Sequence, residues 1–252
     1  MSVVIDLASR RHAPASLKRI SHPAGVTLPL DGPSDADLLI PEIRSEICSG
    51  AYSADLVRLL PDAVKPGDRV LVIGAGLGTV SSLIAKSDGV ERVIAVEANT
   101  ELMPYLKRVH ALNGVPWVET INAVLGDGWK GRVPFFARHD IRTSSLLPDD
   151  CSWQHTMMVP CMDLNLILTE EQITLIVCEI PTASAQLQCA ELGSVERILV
   201  SSGDDPSERR EQNEVRSLLA GQGFDAEERG AALLFGRANA SREYFRPAKC
   251  RA

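Results

Sequence analysis

Three glycines on alternate positions, Gly74, Gly76 and Gly78, stand directly behind an apolar run in "VLVIGAGLG". A strand that ends in such a turn and opens a helix brings bare backbone up to a ligand and aims helix N–H groups at its anionic parts. The spacing is G-x-G-x-G, with Thr79 where a dinucleotide fold would place its third glycine. No Gly-Lys-Ser or Gly-Lys-Thr follows, which excludes a P-loop. Glu97 closes the next apolar run, "VIAVEANT". A carboxylate there lies beside the glycine turn, where it can accept hydrogen bonds from both hydroxyls of a ribose and repel a 2′-phosphate. Together the glycines and Glu97 point to a ribonucleoside lacking that phosphate. S-adenosylmethionine and NAD both qualify, and the glycine spacing favours the former.

A second acid, Glu179, follows the apolar run "TLIVC". Ligands of open α/β sheets bind outside the carboxyl ends of the strands, so Glu179 is the first candidate for a base that takes a proton from an acceptor. A solvated or hydrogen-bonded strand-end acid is the equal alternative. His139 and His155 read as surface or loop histidines. Cys151, His155 and Cys161 match no common zinc spacing, and no metal site is expected. Ser144 and Ser145 lack His and Asp support for nucleophilic work, which leaves them a turn or cap role. The basic clusters "SRRH" and "ERR" read as solvated.

These residues need elements to hold them. From Asp68 the chain alternates Val- and Ile-rich strands, "RVLVIG", "RVIAVE" and "VETINAVLG", with amphipathic helices, "TVSSLIAKS" and "TELMPYLKRVHALNG". That alternation predicts a parallel sheet covered on both faces. In the second helix Leu102, Leu106, Val109 and Leu112 share a face, Asn99 or Thr100 can cap its start, and Asn113-Gly114 ends it. After Gly128 two short strands, "VPFFARHD" and "HTMMVPCMD", flank a polar connection and precede a helical piece around "LNLILTEEQ", an insertion between sheet strands. The alternation resumes with "TLIVCEI", "ASAQLQCAEL", "VERILVSS", "RREQNEVRSLLAGQGF" and a closing strand "AALLFGRA". Upstream, "GVTLPL" reads as one short strand, Pro41 opens a helix that stops at Gly50, and Ser53 can cap a helix whose Leu56, Leu59 and Leu60 fall on one face.

The chain has 252 residues, 45% of them hydrophobic and 23% charged, enough for an ordinary core. A net charge of -7 argues against non-specific binding to nucleic acid or an anionic membrane. The opening is a poor secretory signal, no segment has the apolar length of a membrane span, and the six cysteines include no Cys-x-x-Cys pair. A cytoplasmic location is expected.

The run "PGDRVLVIGAGLGTVSSLIAKSDGVERVIAVEANTELMPYLKRVHALNGVPWVETINAVLGDG" resembles the FkbM-type family of S-adenosylmethionine-dependent methyltransferases in its glycine turn, its "E-x-N", and its "LNG" and "NAVLGD" segments. "TSSLLPDD" is similar to a Ser-Ser-Leu stretch in that family's insertion. The resemblance implies an α/β fold with a doubly wound, mostly parallel sheet of the class I methyltransferase, Rossmann-like type. A short N-terminal helical extension would precede it, and a β insertion would come before the fourth strand. Residues 1–40 would be the extension, 41–66 a helical lead-in, 67–238 the cofactor-binding domain and 239–252 a tail. It implies that Gly74, Gly76 and Gly78 pass beneath the methionine part of S-adenosylmethionine. Glu97 would hold the ribose, Ala98 would lie along the adenine, the backbone at Asn122 and Ala123 would meet its edge, and Tyr52 would close over the site. The implied activity is methyl transfer to an oxygen of a small-molecule or sugar-like acceptor, with no nucleic-acid or membrane partner. Two departures stand out. Val72 replaces the acid usual two residues before the first glycine, and "CEIPTA" keeps the first acid of the family's Asp-x-Glu-Gly as Glu179 but has Pro181 and Thr182 in place of its Glu and Gly. A nucleoside-binding accessory protein that has lost catalysis, and an NAD-dependent oxidoreductase, are the alternatives.

Overall fold

The computed structural model describes residues 18–33, 35–128, 131–148, 153–180, 183–201, 206–228 and 232–237. Cys151, Pro181, Thr182, the "SRRH" cluster and the tail from residue 239 lie outside the described residues.

The described chain opens with a hairpin, β1 (Arg19–His22) and β2 (Val26–Pro29), pairing Arg19 with Pro29 and His22 with Val26. Its connection, Pro23-Ala24-Gly25, sets Gly25 at φ 93°, the left-handed step that a three-residue hairpin loop uses. Only β2 was expected from the sequence, because "RISH" lacks an apolar alternation and earns its place by pairing alone. Helix α1 (Asp35–Leu38) follows, and then α2 (Pro41–Ser49), which ends where expected, on Gly50 at φ 80°. Helix α3 (Ala54–Ala63) buries Leu56, Leu59, Leu60 and Ala63 on one face.

The alternating region runs β3 (Arg69–Ile73), α4 (Thr79–Ala85), β4 (Arg92–Glu97), α5 (Leu102–Leu112) and β5 (Glu119–Asn122). The segment read as a single strand, "VETINAVLG", is two. At Ala123, whose N–H bonds the Glu97 carbonyl, the chain leaves the main sheet, and β6 (Val124–Gly126) pairs with the insertion instead. The insertion supplies β7 (Arg132–Ala137) and β8 (His155–Asp163), giving a three-stranded sheet β6-β8-β7, and leads through α6 (Leu164–Glu170) back to β9 (Leu175–Cys178). The chain ends through α7 (Ala183–Leu187), β10 (Arg197–Ser201), α8 (Pro206–Gly221), β11 (Phe224–Glu228) and β12 (Ala232–Arg237). Strand β11 was missed in the sequence: "FDAEE" lies at the sheet edge and carries a single buried apolar side chain, Phe224.

The seven-stranded sheet has the order β11-β12-β10-β9-β3-β4-β5. Strands β10, β9, β3, β4 and β5 are parallel, and β12 runs antiparallel to both of its neighbours. This is the doubly wound sheet of the class I methyltransferase, Rossmann-like type, with its strand order reversing between β3 and β9. The crevice at that switch point is where such sheets bind ligands. Both faces are apolar. Leu71 and Ile73 join Ile94, Ile176 and α6 to α8 on one side, while Val70 and Val72 join Val93, Val177 and α3 and α4 on the other. A third core joins the hairpin and α2 to α5 through Val26, Leu28, Ile43, Ile47, Tyr52, Leu77 and Tyr105. At the opposite, amino ends of the strands Arg197 and Asp68 form a buried ion pair at 2.6 Å, well away from the crevice. Among the described residues no helix is long and apolar enough to cross a membrane.

Candidate active site

The three glycines have left-handed backbones, at φ 79°, 51° and 82°, and each does a different job. A Cβ on Gly74 would run into Ile180 Cγ2 and lie 3.0 Å from the Glu179 carbonyl oxygen, so Gly74 lets the end of β9 close on the turn. A Cβ on Gly78 would lie 2.5 Å from Leu106, so Gly78 lets α5 pack against the start of α4. Only Gly76 has room above it, with the Tyr52 hydroxyl the nearest side-chain atom at 3.4 Å. Its N–H donates to Glu97 Oε2 at 2.8 Å, while the Asn99 N–H donates to Oε1 at 2.7 Å. The "E-x-N" spacing therefore folds the chain back on its own carboxylate. Asn99 Oδ1 accepts from the Glu101 N–H at 3.0 Å, but the cap position of α5 is Glu101, with no side-chain cap bond, and not the expected Asn99 or Thr100. Burial raises the Glu97 carboxyl above its usual range, and the backbone donors at Asn99, Gly76 and Ala98 oppose that rise. Each carboxylate oxygen keeps a second lone pair for a ligand hydroxyl.

A cavity of about 590 Å³ lies over the carboxyl ends of β3, β4, β9 and β10. Gly74, Gly76, Glu97, Ala98, Ala123 and Glu179 are on its wall; Gly78 and Asn122 are not. Asn122 instead donates from Nδ2 to the carbonyls of Glu97 at 2.9 Å and Ala98 at 3.0 Å, fixing the turn that presents both residues. Val72 is fully buried in the sheet core and also off the wall. Ala98, Val124, Phe135 and Leu146 make an apolar part of the wall, packed with Val159 of the small sheet. Phe135 and Leu146 were not singled out in the sequence. The alternation of "VPFFA" leaves either Phe135 or Phe136 inward until the pairing Phe135 with Met157 fixes the register.

On the far side of the glycine turn Glu179 directly follows β9. The Ser53 hydroxyl donates to its Oε1, and burial together with the Glu97 charge pushes its carboxyl up to about 8, against the opposing effect of the Ser53 bond. Ser53 does not cap α3 as expected. It sits at the cap position with φ 53°, a left-handed backbone rare outside glycine, and its hydroxyl is turned into the cavity. Tyr52 lines the same wall and its phenol is held well above the usual range, chiefly by burial and then by Glu179 and Glu97. Arg142, also on the wall, bonds Glu46 of α2 at 2.6 Å and Asp140 of the insertion at 2.6 Å.

The remaining candidates have other roles. His139 and His155 are exposed and off the cavity wall, and His155 lies 3.2 Å from Glu101. Ser144 and Ser145 are on the wall, but their hydroxyls accept from the N–H groups of Arg138 and Leu147, which is turn work. Among the described residues no group of three His, Cys, Asp or Glu could hold a metal ion.

No protein-family model matches the chain, and no curated protein matches it. Solved structures do. The ribosomal protein L11 methylase of Lactobacillus delbrueckii subsp. bulgaricus is 17% identical over 75% of this chain and 79% of its own, with a TM-score of 0.45. The fibrillarin of Aeropyrum pernix, in complex with S-adenosyl-L-methionine, is 15% identical over 74% of each chain, with a TM-score of 0.43. The precorrin-6y C5,15-methyltransferase of Geobacter metallireducens is 11% identical over 71% of this chain and 84% of its own, with a TM-score of 0.44.

Proposed function

We propose that the chain is an S-adenosylmethionine-dependent methyltransferase, of the FkbM type its motifs resemble. The observation that carries the reading is the Glu97 carboxylate, held between the N–H groups of Gly76 and Asn99 at the wall of a cavity that Ala98, Val124, Phe135 and Leu146 also line. A ribose on Glu97 places its base toward Ala98, Val124, Phe135 and Leu146, and the other end of the nucleoside over Gly74 and Gly76. The acids Glu97 and Glu179 suit a cationic ligand: burial raises both carboxyls, and among the described residues no Lys or Arg acts to lower them. When bound, S-adenosylmethionine supplies a methyl group already made electrophilic by its sulfonium.

The chain's own residues would then hold and deprotonate an acceptor. Orientation of that kind can contribute about 7–11 kcal/mol to lowering a barrier. Glu179 stands at the boundary between the nucleoside half of the cavity and the half over β10, placed to take a proton from a hydroxyl or ammonium once ionised. The Ser53 hydroxyl fixes which carboxylate oxygen faces the acceptor. A small-molecule or sugar-like acceptor, methylated on oxygen in a cytoplasmic setting without a nucleic-acid partner, is the finer reading that the motif likeness suggests.

Isothermal titration with S-adenosylmethionine, S-adenosylhomocysteine and NAD in parallel tests the proposal. Micromolar binding of the two sulfur nucleosides with no binding of NAD is expected. Tight NAD binding would support the oxidoreductase instead, and nucleoside binding without turnover on any acceptor would support the accessory protein.

A further inference from the structure

The cavity wall draws on two parts of the chain outside the main sheet: α2 with the turn into α3, which supplies Glu46, Tyr52 and Ser53, and the insertion. Between β7 and β8 the insertion sends out a strap, residues 138–147, with Ile141, Arg142 and Leu146 on the wall. Its base and its tip are held very differently. At the base Ser145 and Phe136 of β7 exchange backbone hydrogen bonds at 2.9 and 3.2 Å, and the buried Arg138 donates its guanidinium to the carbonyls of Thr143 and Leu147. Releasing a buried guanidinium from two carbonyls leaves donors unsatisfied, so the base is firm. At the tip a turn of 3-10 helix, Ile141–Thr143, carries Arg142. Arg142 Nη1 donates to both carboxylate oxygens of Glu46, 96 residues away, while Nε and Nη2 stay on Asp140 of the strap itself. Ile141 rests against the third core. The Arg142 and Glu46 side chains are 36% and 34% exposed. An ion pair that open to water shifts an equilibrium by about fivefold at most, the equivalent of about 1 kcal/mol. The tip is therefore weakly held.

We propose that the tip of the strap is a gate to the cavity and that the Arg142–Glu46 pair is its latch. Both side chains line the cavity and both reach water, so the pair stands between the two. Opening breaks one half-exposed ion pair and the contact of Ile141 with the third core, and Arg142 keeps its fork on Asp140, so no buried charge is left bare. Closure joins the strap to the residue that seats the turn before Ser53, because the Glu46 carbonyl accepts from the N–H groups of Ala51 and Tyr52 at 2.8 and 3.1 Å. Those backbone bonds do not involve the carboxylate, so Glu46→Gln removes the latch charge and leaves the turn in place. The gate is a property of the wall; only the choice of S-adenosylhomocysteine as its probe rests on the methyltransferase reading.

The test measures association and dissociation of S-adenosylhomocysteine on the immobilised full chain by surface plasmon resonance, for the parent, Glu46→Gln, Arg142→Gln and the double variant, at low and at high salt. Each single variant is expected to exchange the nucleoside about two- to fivefold faster in both directions. The double variant should be no faster than either single one, and the parent should approach the variants as salt rises. A second readout needs no nucleoside. Ala98→Cys, on the cavity wall, is treated with the neutral thiol reagent dithiodipyridine and compared with the same chain lacking that substitution. Its modification should be about two- to fivefold faster when Glu46→Gln is added. Unchanged thiol modification, unchanged exchange of a nucleoside that binds, or effects of the two single variants that add in full would each overturn the gate. If no nucleoside binds while the thiol rate still rises, the methyltransferase reading falls and the gate stands.

Discussion

Ser53 sits in a left-handed backbone at φ 53° and donates its hydroxyl to Glu179, 126 residues further along the chain. A non-glycine residue in that conformation costs about 1–2 kcal/mol, and such outliers gather at functional sites. Separating the strain from the bond gives a first prediction. Ser53→Gly relieves the backbone and loses the bond, whereas Ser53→Ala keeps the strain and loses the bond. Thermal unfolding at pH 6 is expected to rank Ser53→Ala below Ser53→Gly by about 1 kcal/mol, and equal melting of the two would show that the backbone is unstrained.

Glu179 sets a pH dependence. Its carboxyl is raised from the usual 4.5 to about 8, so the folded state holds this proton more tightly than the unfolded chain does. Its contribution to stability is therefore largest below 4.5 and is lost as pH rises through about 8. Glu179→Gln should melt higher than the parent at pH 8 and flatten the fall between pH 5 and pH 8. If it acts as a base, the same variant lowers turnover at least about a hundredfold with S-adenosylhomocysteine affinity within a few-fold. Parallel losses in both would mark a structural acid.

A cation bound in this cavity lowers the raised carboxyls and must expel protons. Titration of S-adenosylmethionine at pH 7 in buffers of different ionisation enthalpy should show proton release approaching one per site, and S-adenosylhomocysteine, which lacks the sulfonium, should show less. Equal release by the two nucleosides would detach Glu179 from the cofactor.

Glu97→Ala removes the acceptor of two backbone N–H groups and of the ribose. Nucleoside affinity should fall about tenfold or more, and unchanged affinity would refute the assignment.

The glycines separate by what a methyl group would meet. Gly76→Ala faces the open cavity and should weaken nucleoside binding more than it lowers the melting temperature. Gly78→Ala meets Leu106 and should do the reverse. Melting curves and titrations on the two variants check the crossover.

The doubly wound sheet was legible because buried parallel strands are continuous apolar runs and their helices carry a separate period. Gly76, Glu97 and Glu179 were legible for a related reason: their positions at strand ends follow once the strands are known. Ser53 and Arg142 were not, since each meets the cavity only through a tertiary neighbour distant in sequence, and no local pattern distinguishes a cap serine from one whose hydroxyl is turned elsewhere. Phe135 awaited the register of β7 on β8. Strands β1 and β11 were hidden because each gains its strand character from one partner at an edge rather than from its own side chains.

His22 of the first hairpin is almost fully buried and its Nε2 lies 3.2 Å from the Tyr52 carbonyl, while the Tyr105 hydroxyl reaches back to the Pro29 carbonyl at 3.1 Å. The backbone immediately before Ser53 is thus anchored by a segment that touches no part of the cavity. Shortening the chain to begin at α2 would remove that anchor together with Val26 and Leu28 of the shared core, so the hairpin acts as a brace whose loss would be read at the active site as a misplaced serine.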